Sequence, residues 1–127
     1  INSQYVPETH FLTELSEIPD DLDHYVLKPL FSFAGMGVFM HPTRDIIDKL
    51  DHPENYILQR KVTYEPVIPT LDDPAKCEVR MLLVWEDDAP RPELVTNLVR
   101  LAKAEMIGVR ANKGMTWVGG SIGYFEP

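Results

Sequence analysis

Residues 25–38, YVLKPLFSFAGMGV, combine an apolar run, a single lysine, a proline and two glycines. Lys28 interrupts a run that is otherwise typical of a strand buried on both faces. A buried ammonium group loses hydration at a cost of several kcal/mol unless an anion meets it, so the pattern predicts an anion beside Lys28. Gly35 and Gly37 allow the backbone to approach a ligand and to direct N–H groups at it. The alternative is a surface lysine followed by an ordinary hairpin turn.

The composition is that of a globular domain, with 127 residues, 44% apolar and 25% charged. The net charge of −8 repels a phosphate backbone, so we expect no nucleic-acid partner. No apolar run approaches the ~20 residues that span a bilayer, and no signal pattern is present, so we expect no membrane partner and a cytoplasmic location. A single cysteine, Cys77, excludes an internal disulfide, and the four histidines lack metal-ligand spacing.

Residues 1–62 are predicted to form a small α+β subdomain. The strand that carries Lys28 and the segment that returns after it should form a hairpin with the glycines at its tip. In chain order, the predicted elements are an extended segment (6–12), a short helix that Pro19 breaks and that a turn or a second helical turn follows (13–23), a strand (25–30), a returning strand (38–40), a helix capped by Thr43 and a strand (56–62).

Residues 63–127 are predicted to form a second subdomain of the order strand, helix, strand, and to be incomplete. The proline-rich residues 63–75 indicate the boundary. A strand at 76–85 places Lys76, Glu78 and Arg80 on one face, which must be wet or must hold a charged ligand. Apolar residues at three- and four-residue spacing predict a helix from about residue 91 to 106, ended by Gly108. A short strand (107–110) and a last strand (115–125), interrupted by Gly119-Gly120, follow.

The series of motifs, taken in order, resembles the ATP-grasp superfamily, the nucleotide-binding fold of carboxylate-amine and carboxylate-thiol ligases. The matching segments are VPET (6–9), YVLKP (25–29), SFAGMGV (32–38), YILQRKV (56–62), CEVRMLLVW (77–85) and GMTWVGGS (114–121). The resemblance implies an α+β fold in which a small subdomain with a glycine loop precedes an antiparallel β/α subdomain. It also implies an ATP-dependent ligase that forms carbon–nitrogen or carbon–sulfur bonds through an acyl phosphate.

Residue roles follow from the resemblance. Lys28 is expected to contact the α- or β-phosphate of ATP, and the loop after it to close over the phosphates with its backbone N–H groups. A hinge is expected to read the adenine and ribose, and Arg80, the catalytic candidate, to lie on the strand floor near the phosphates or the activated acyl group. Beyond Lys28, the implied ATP-binding residues are Ser32, Ala34, Gly35 and Gly37 in the loop and Gln59, Arg60, Lys61 and Val62 in the hinge.

The chain also departs from the family pattern. Gln59 stands where the hinge usually has a glutamate. ATP and Mg²⁺ are the implied cofactors, but the family's magnesium ligands normally follow the glycine pair, and the family's preceding domain is missing. We therefore expect a fragment that is inactive alone, whose parent takes a small carboxylate and an amine or thiol. The oxygen donors near the matched segments lack the expected pairing, so no metal ligand is assigned among Glu78, Asn97, Asn112 and Glu126.

Two other functions remain open at this point. One is a non-catalytic nucleotide-sensing domain that keeps the fold without turnover. The other is an unrelated α+β interaction domain in which Lys28 is merely exposed. In an excised domain, apolar surface left open by missing neighbours could also drive formation of a homodimer.

Overall fold

The computed structural model describes residues 5–124. The chain divides into two compact units, Ile1–Thr63 and Tyr64–Pro127. Each unit contains one small antiparallel sheet of three strands, and helix is scarce. The fold is therefore mixed α and β.

The first sheet has the order β1-β3-β2, with strands β1 (Thr9–Phe11), β2 (Tyr25–Pro29) and β3 (Tyr56–Arg60). β3 is central and antiparallel to both neighbours. Leu27 and Leu58 face each other in register and are both 0% exposed. This pair is the centre of a core that also includes Leu12, Leu22, Tyr25 and Ile47. The strands predicted around Lys28 and at residues 56–62 are confirmed, with slightly shorter bounds.

Helix α1 (Arg44–Asp48) packs against this core through the buried Ile47. The predicted cap is confirmed, because Thr43 Oγ1 accepts a hydrogen bond from the N–H of Ile46 at 3.2 Å. The short helix predicted before Pro19 does not form as an α-helix, which corrects that prediction. Single 3₁₀ turns occur instead at Leu12–Glu14 and Leu22–His24. Pro19 keeps the residue before it out of the helical region, which limits a helix here.

The predicted returning strand at residues 38–40 is reduced to one bridge. Leu27 and Phe39 exchange both backbone hydrogen bonds, at 3.0 and 2.9 Å, and the ladder goes no further. The next pair in this register would be Pro29 with Gly37, and Pro29 has no N–H to donate. Gly37 has a φ of +70°, and a Cβ there would lie 3.2 Å from Pro29 Cγ.

The second sheet has the order β4-β5-β6, with strands β4 (Lys76–Val84), β5 (Glu93–Ala102) and β6 (Gly119–Ser121). All pairings are antiparallel. Thr96 pairs with Leu82 and Leu94 with Leu83, so Val95 forms a β-bulge in β5. The strand predicted at 76–85 is confirmed. Residues 107–110, predicted as a strand, form a turn.

The helix predicted over residues 91–106 is wrong, because β5 occupies most of that span. Leu94, Leu98 and Ala102 are spaced by four, which fits a helix face and equally one face of a strand. Val95, Thr96 and Val99 are β-branched and favour a strand. β4 lies just before this segment, and its nine residues provide the antiparallel partner.

Two buried asparagines fix the turns of the second unit. Asn97, on β5, pairs with the backbone of Gly123 in both directions, at 2.9 and 2.7 Å. Asn112 Oδ1 accepts from the N–H groups of Lys103 and Ala104, and its Nδ2 donates to two carbonyl groups of the same loop. These side chains replace regular secondary structure as the partners of partly buried backbone groups.

Candidate functional site

A chain of polar side chains crosses the first sheet on the face opposite the leucine core. Lys28 Nζ donates to Gln59 Oε1 at 2.5 Å, and Gln59 Nε2 donates to Thr9 Oγ1 at 2.7 Å. Thr9 and Val26 both pair with Gln59, and Lys28 lies two residues further along β2 on the same face. The alternation of side chains in three paired strands therefore assembles the chain of contacts.

Lys28 is a partly buried cation with a neutral partner. Its neighbour on this face, Val26, is 5% exposed, and desolvation by burial lowers the pKa of Lys28. Within residues 5–124, Lys28 forms no salt bridge, and its hydrogen-bond partner is the amide of Gln59. The side chain is thus not the fully exposed lysine of the interaction-domain alternative.

The loop that follows β2 has the backbone conformation expected of its glycines. Ala34, Gly35 and Gly37 have φ values of 54°, 76° and 70°. The N–H of Met36 donates to Phe33 at 3.1 Å and closes a tight turn within the loop. The side chains of Phe31 and Phe33 are 83% and 76% exposed. Of the loop positions implied as ATP-binding, Ser32, Ala34 and Gly37 are exposed, and Gly35 is partly so.

The predicted hinge residues separate onto different partners. Gln59 joins Lys28, but the guanidinium of Arg60 lies over the ring of Tyr25 at 5.2 Å, on the other face of β3. Lys61 Nζ lies 3.5 Å from His41 Nδ1, and Val62 is 55% exposed. The backbone N–H groups of Arg60 and Lys61 donate to carbonyl groups of the same unit, at 2.8 Å each.

Arg80 lies on β4, in the second unit, where a carboxylate engages two arginines. Glu78 accepts hydrogen bonds from Arg100 Nε at 3.0 Å and from Arg100 Nη2 at 2.7 and 2.9 Å. Arg80 Nη2 is 3.4 Å from the same carboxylate and is the more exposed guanidinium. The sequence analysis missed Arg100, because its position opposite Glu78 follows only once β5 is known to be a strand.

The oxygen donors considered as magnesium ligands are used inside the fold. Glu78 binds Arg100, Asn97 binds the backbone of Gly123, and Asn112 binds its own loop. Glu126 lies outside the described residues. Between residues 5 and 124, no three histidine, cysteine or acidic side chains group to hold a metal ion. No magnesium ligand is therefore assigned among the residues that the structure describes.

A second polar cluster, which was not predicted from the sequence, joins the proline-rich segment to Lys103 and Thr116. Asp72 accepts hydrogen bonds from Lys103 Nζ, from Thr116 Oγ1 at 2.5 Å and from Thr70 Oγ1 at 2.7 Å. These donors hold the pKa of Asp72 far below its ordinary value, Lys103 having the largest effect. The cluster is satisfied internally, which indicates a structural clasp.

Comparison with known proteins adds no information about this site. No family model, curated protein or solved structure matches the chain. The part of the chain between residues 5 and 124 contains no helix with the length and apolarity to cross a membrane.

We expect Asp72→Asn to remove the pH dependence that the clasp contributes. The folded pKa of Asp72 is depressed, so its stabilisation is present above the unfolded pKa of about 3.9 and is lost as the pH falls below that value. In urea unfolding, Asp72→Asn should have a lower free energy of unfolding than wild type at about pH 7. Between about pH 4 and pH 2, where the carboxyl group titrates, it should lose less of that free energy than wild type does. Asp73→Asn is the control, since only the backbone carbonyl of Asp73 joins the cluster. Identical pH profiles for Asp72→Asn and wild type would contradict the clasp.

Gln59→Glu should supply Lys28 with the carboxylate it lacks. The new charge should raise the pKa of Lys28 above its wild-type value and stabilise the first unit by about 0.5–1 kcal/mol at neutral pH. The lysine side-chain signals in an NMR pH titration report this pKa, and Lys49, already paired with Asp45, serves as the internal control. An unchanged Lys28 titration would show that Gln59 and Lys28 are not in contact in solution.

Proposed function

We propose that this chain is the ATP-binding portion of an ATP-grasp-type ligase that activates a carboxylate as an acyl phosphate. The observation that supports the proposal is Lys28, a partly buried ammonium group bonded to a neutral amide and followed directly by a loop with left-handed backbone positions. A phosphate group is the ligand whose charge complements such a site.

The energetics favour an anion at Lys28 over water. Within residues 5–124, the partly desolvated ammonium has the dipole of the Gln59 side chain to offset its lost hydration. A phosphate oxygen would add a full charge at hydrogen-bond distance, which is the stronger kind of hydrogen bond. Binding would then raise the pKa of Lys28 again and couple ATP binding to proton uptake at alkaline pH.

The proposed site extends from Lys28 into the loop and the hinge. The exposed loop around Gly35 and Gly37 would cover the phosphates, with N–H groups that the turn does not use. Gln59 contacts Lys28, and its side chain would change partner from the ammonium group to the ligand when the ligand binds. Arg60, Lys61 and Val62 would lie at the nucleoside end, where Val62 would make the contact with adenine, since the side chains and the backbone N–H groups of Arg60 and Lys61 have other partners.

The reaction proposed for the parent protein has two transfers. A carboxylate oxygen attacks the γ-phosphorus of ATP, which forms the acyl phosphate and breaks the bond to the leaving ADP. An amine or thiol then attacks the acyl carbon and displaces inorganic phosphate, and the nucleophile's proton is released. The proposed substrates of the parent protein are a small carboxylate and a small amine or thiol, and the proposed location is the cytoplasm.

A second candidate is a nucleotide-sensing domain that binds ATP without turnover. The observation that favours it is the internal use of Glu78, Asn97 and Asn112, which leaves these oxygen donors engaged with protein groups. Both candidates require ATP at Lys28. They differ in whether phosphate is released when carboxylates are combined with amines or thiols.

Calorimetric titration with ATP tests the shared step. We expect wild type to bind and Lys28→Met to bind at least about tenfold more weakly, because a charge-assisted hydrogen bond is lost. Lys49→Met is the matched control, since it removes an exposed lysine whose partner is Asp45. Equal affinity for wild type and Lys28→Met would refute the site. Phosphate release by the intact protein with a panel of carboxylates, amines and thiols separates the ligase, which releases it, from the sensor, which does not.

A further inference from the structure

A cavity lies in the second unit, on the face of the sheet that carries Arg100. Its volume is about 410 Å³, which is within the range of small-molecule sites. Leu98 and Arg100 lie two residues apart on β5, and Gly120 of β6 pairs with Arg100, so these three residues share the face that forms the floor. Most of the other lining side chains are apolar, among them Ile107, Val109 and Val118.

The glycine pair of β6 leaves room above this floor. A Cβ at Gly120 would lie 3.3 Å from Leu98 Cδ1, which is closer than an ordinary contact between carbon atoms. A side chain at this position would therefore crowd Leu98 and reduce the cavity. Glycine within a strand often marks a place where a ligand or another backbone approaches closely.

The wall of the cavity is held in place by Asn112, which is 7% exposed. Its side chain forms four hydrogen bonds of 2.8–3.1 Å, with the backbone of Lys103, Ala104, Met106 and Gly108. Residues 107–109 and Lys113, on either side of these contacts, line the cavity. The cavity is therefore formed before any ligand binds, as is usual for small-molecule sites.

Two cationic side chains line the cavity, and no acidic side chain does. Arg100 donates to Glu78 through Nε and Nη2, which leaves its Nη1 without a hydrogen-bond partner in the part of the chain that the structure describes. Lys113 Nζ forms no hydrogen bond or ion pair within residues 5–124. Because Glu78 offsets the charge of Arg100, the charge of Lys113 is the one left for a ligand.

We infer that this cavity binds a small monocarboxylate with an apolar body, of the kind of a medium-chain fatty acid. The carboxylate accepts hydrogen bonds from Lys113 Nζ and Arg100 Nη1, and the hydrocarbon chain packs against Leu98, Ile107 and Val118. A single negative charge balances that of Lys113, whereas a phosphate dianion would bring a second charge into a mainly apolar cavity. This inference rests on the second unit alone and does not depend on ATP binding.

Calorimetric titration with octanoate tests the class of ligand. Acetate and octanamide are the matched probes, since acetate keeps the charge without the chain and octanamide keeps the chain without the charge. We expect each to bind at least about tenfold more weakly than octanoate, because acetate loses the apolar burial and octanamide loses the charge-assisted hydrogen bonds. No binding of octanoate, or octanamide binding as tightly as octanoate, would overturn the inference.

Substitutions test the two donors. Lys113→Met should weaken octanoate binding by about fivefold, because an ion pair near the surface is lost. Arg110→Met is the matched control and should bind like wild type, since Arg110 is an exposed cation of the same turn that does not line the cavity. Glu78→Gln should tighten binding, because it releases Arg100 from its internal carboxylate. Equal weakening by both methionine variants, or an unchanged affinity in Lys113→Met, would refute the site.

Methyl NMR tests the place of binding. In protein labelled at the isoleucine δ-methyl groups, saturating octanoate should shift the signal of Ile107. Ile68 is the internal control, because it lines a different apolar cleft of the same unit and should keep its position. A shift at Ile68 without a shift at Ile107 would reject this cavity as the site.

Discussion

The contact between Leu27 and Leu58 is the constraint on which the first unit depends. Both side chains are fully buried, and they face each other across β2 and β3. A shift of one residue would move every side chain of β2 to the opposite face, so burial of this pair fixes the register. Lys28 and Gln59 follow these leucines in the sequence and must therefore meet on the other face. The polar contact at the candidate site is a consequence of how the core is packed.

The same reasoning explains the unusual state of Lys28. The core side of the sheet is covered, and Val26 is also buried on the opposite side. The aliphatic part of the Lys28 side chain is therefore partly removed from water, and its ammonium group forms a hydrogen bond with the amide of Gln59. Burial stabilises the neutral amine relative to the cation, which lowers the pKa of Lys28. An anion at Lys28, as proposed, would offset the cost of this burial.

The sequence predicted the first unit better than the second, for a physical reason. β2 and β3 have apolar runs bounded by turn signals, and Thr43 precedes α1 with a side chain suited to a cap, so local chemistry decides their structure. β5 has apolar residues four apart, and only its long-range pairing with β4 distinguishes a strand from a helix. The pairing of Arg100 with Glu78 and the contacts of Asp72 with Lys103 and Thr116 were missed with it, because each joins residues 22 or more positions apart in the sequence. Lys28 could be singled out from its apolar neighbours, whereas its contact with Gln59 required the register of three strands.

The central claim is that the ammonium group of Lys28 receives a phosphate. The side-chain signals of Lys28 in an NMR pH titration, recorded with and without ATP, test this claim most directly. The account predicts that saturating ATP raises the pKa of Lys28 from its lowered value, because a phosphate charge stabilises the protonated form. A Lys28 titration that is unchanged by saturating ATP would contradict it.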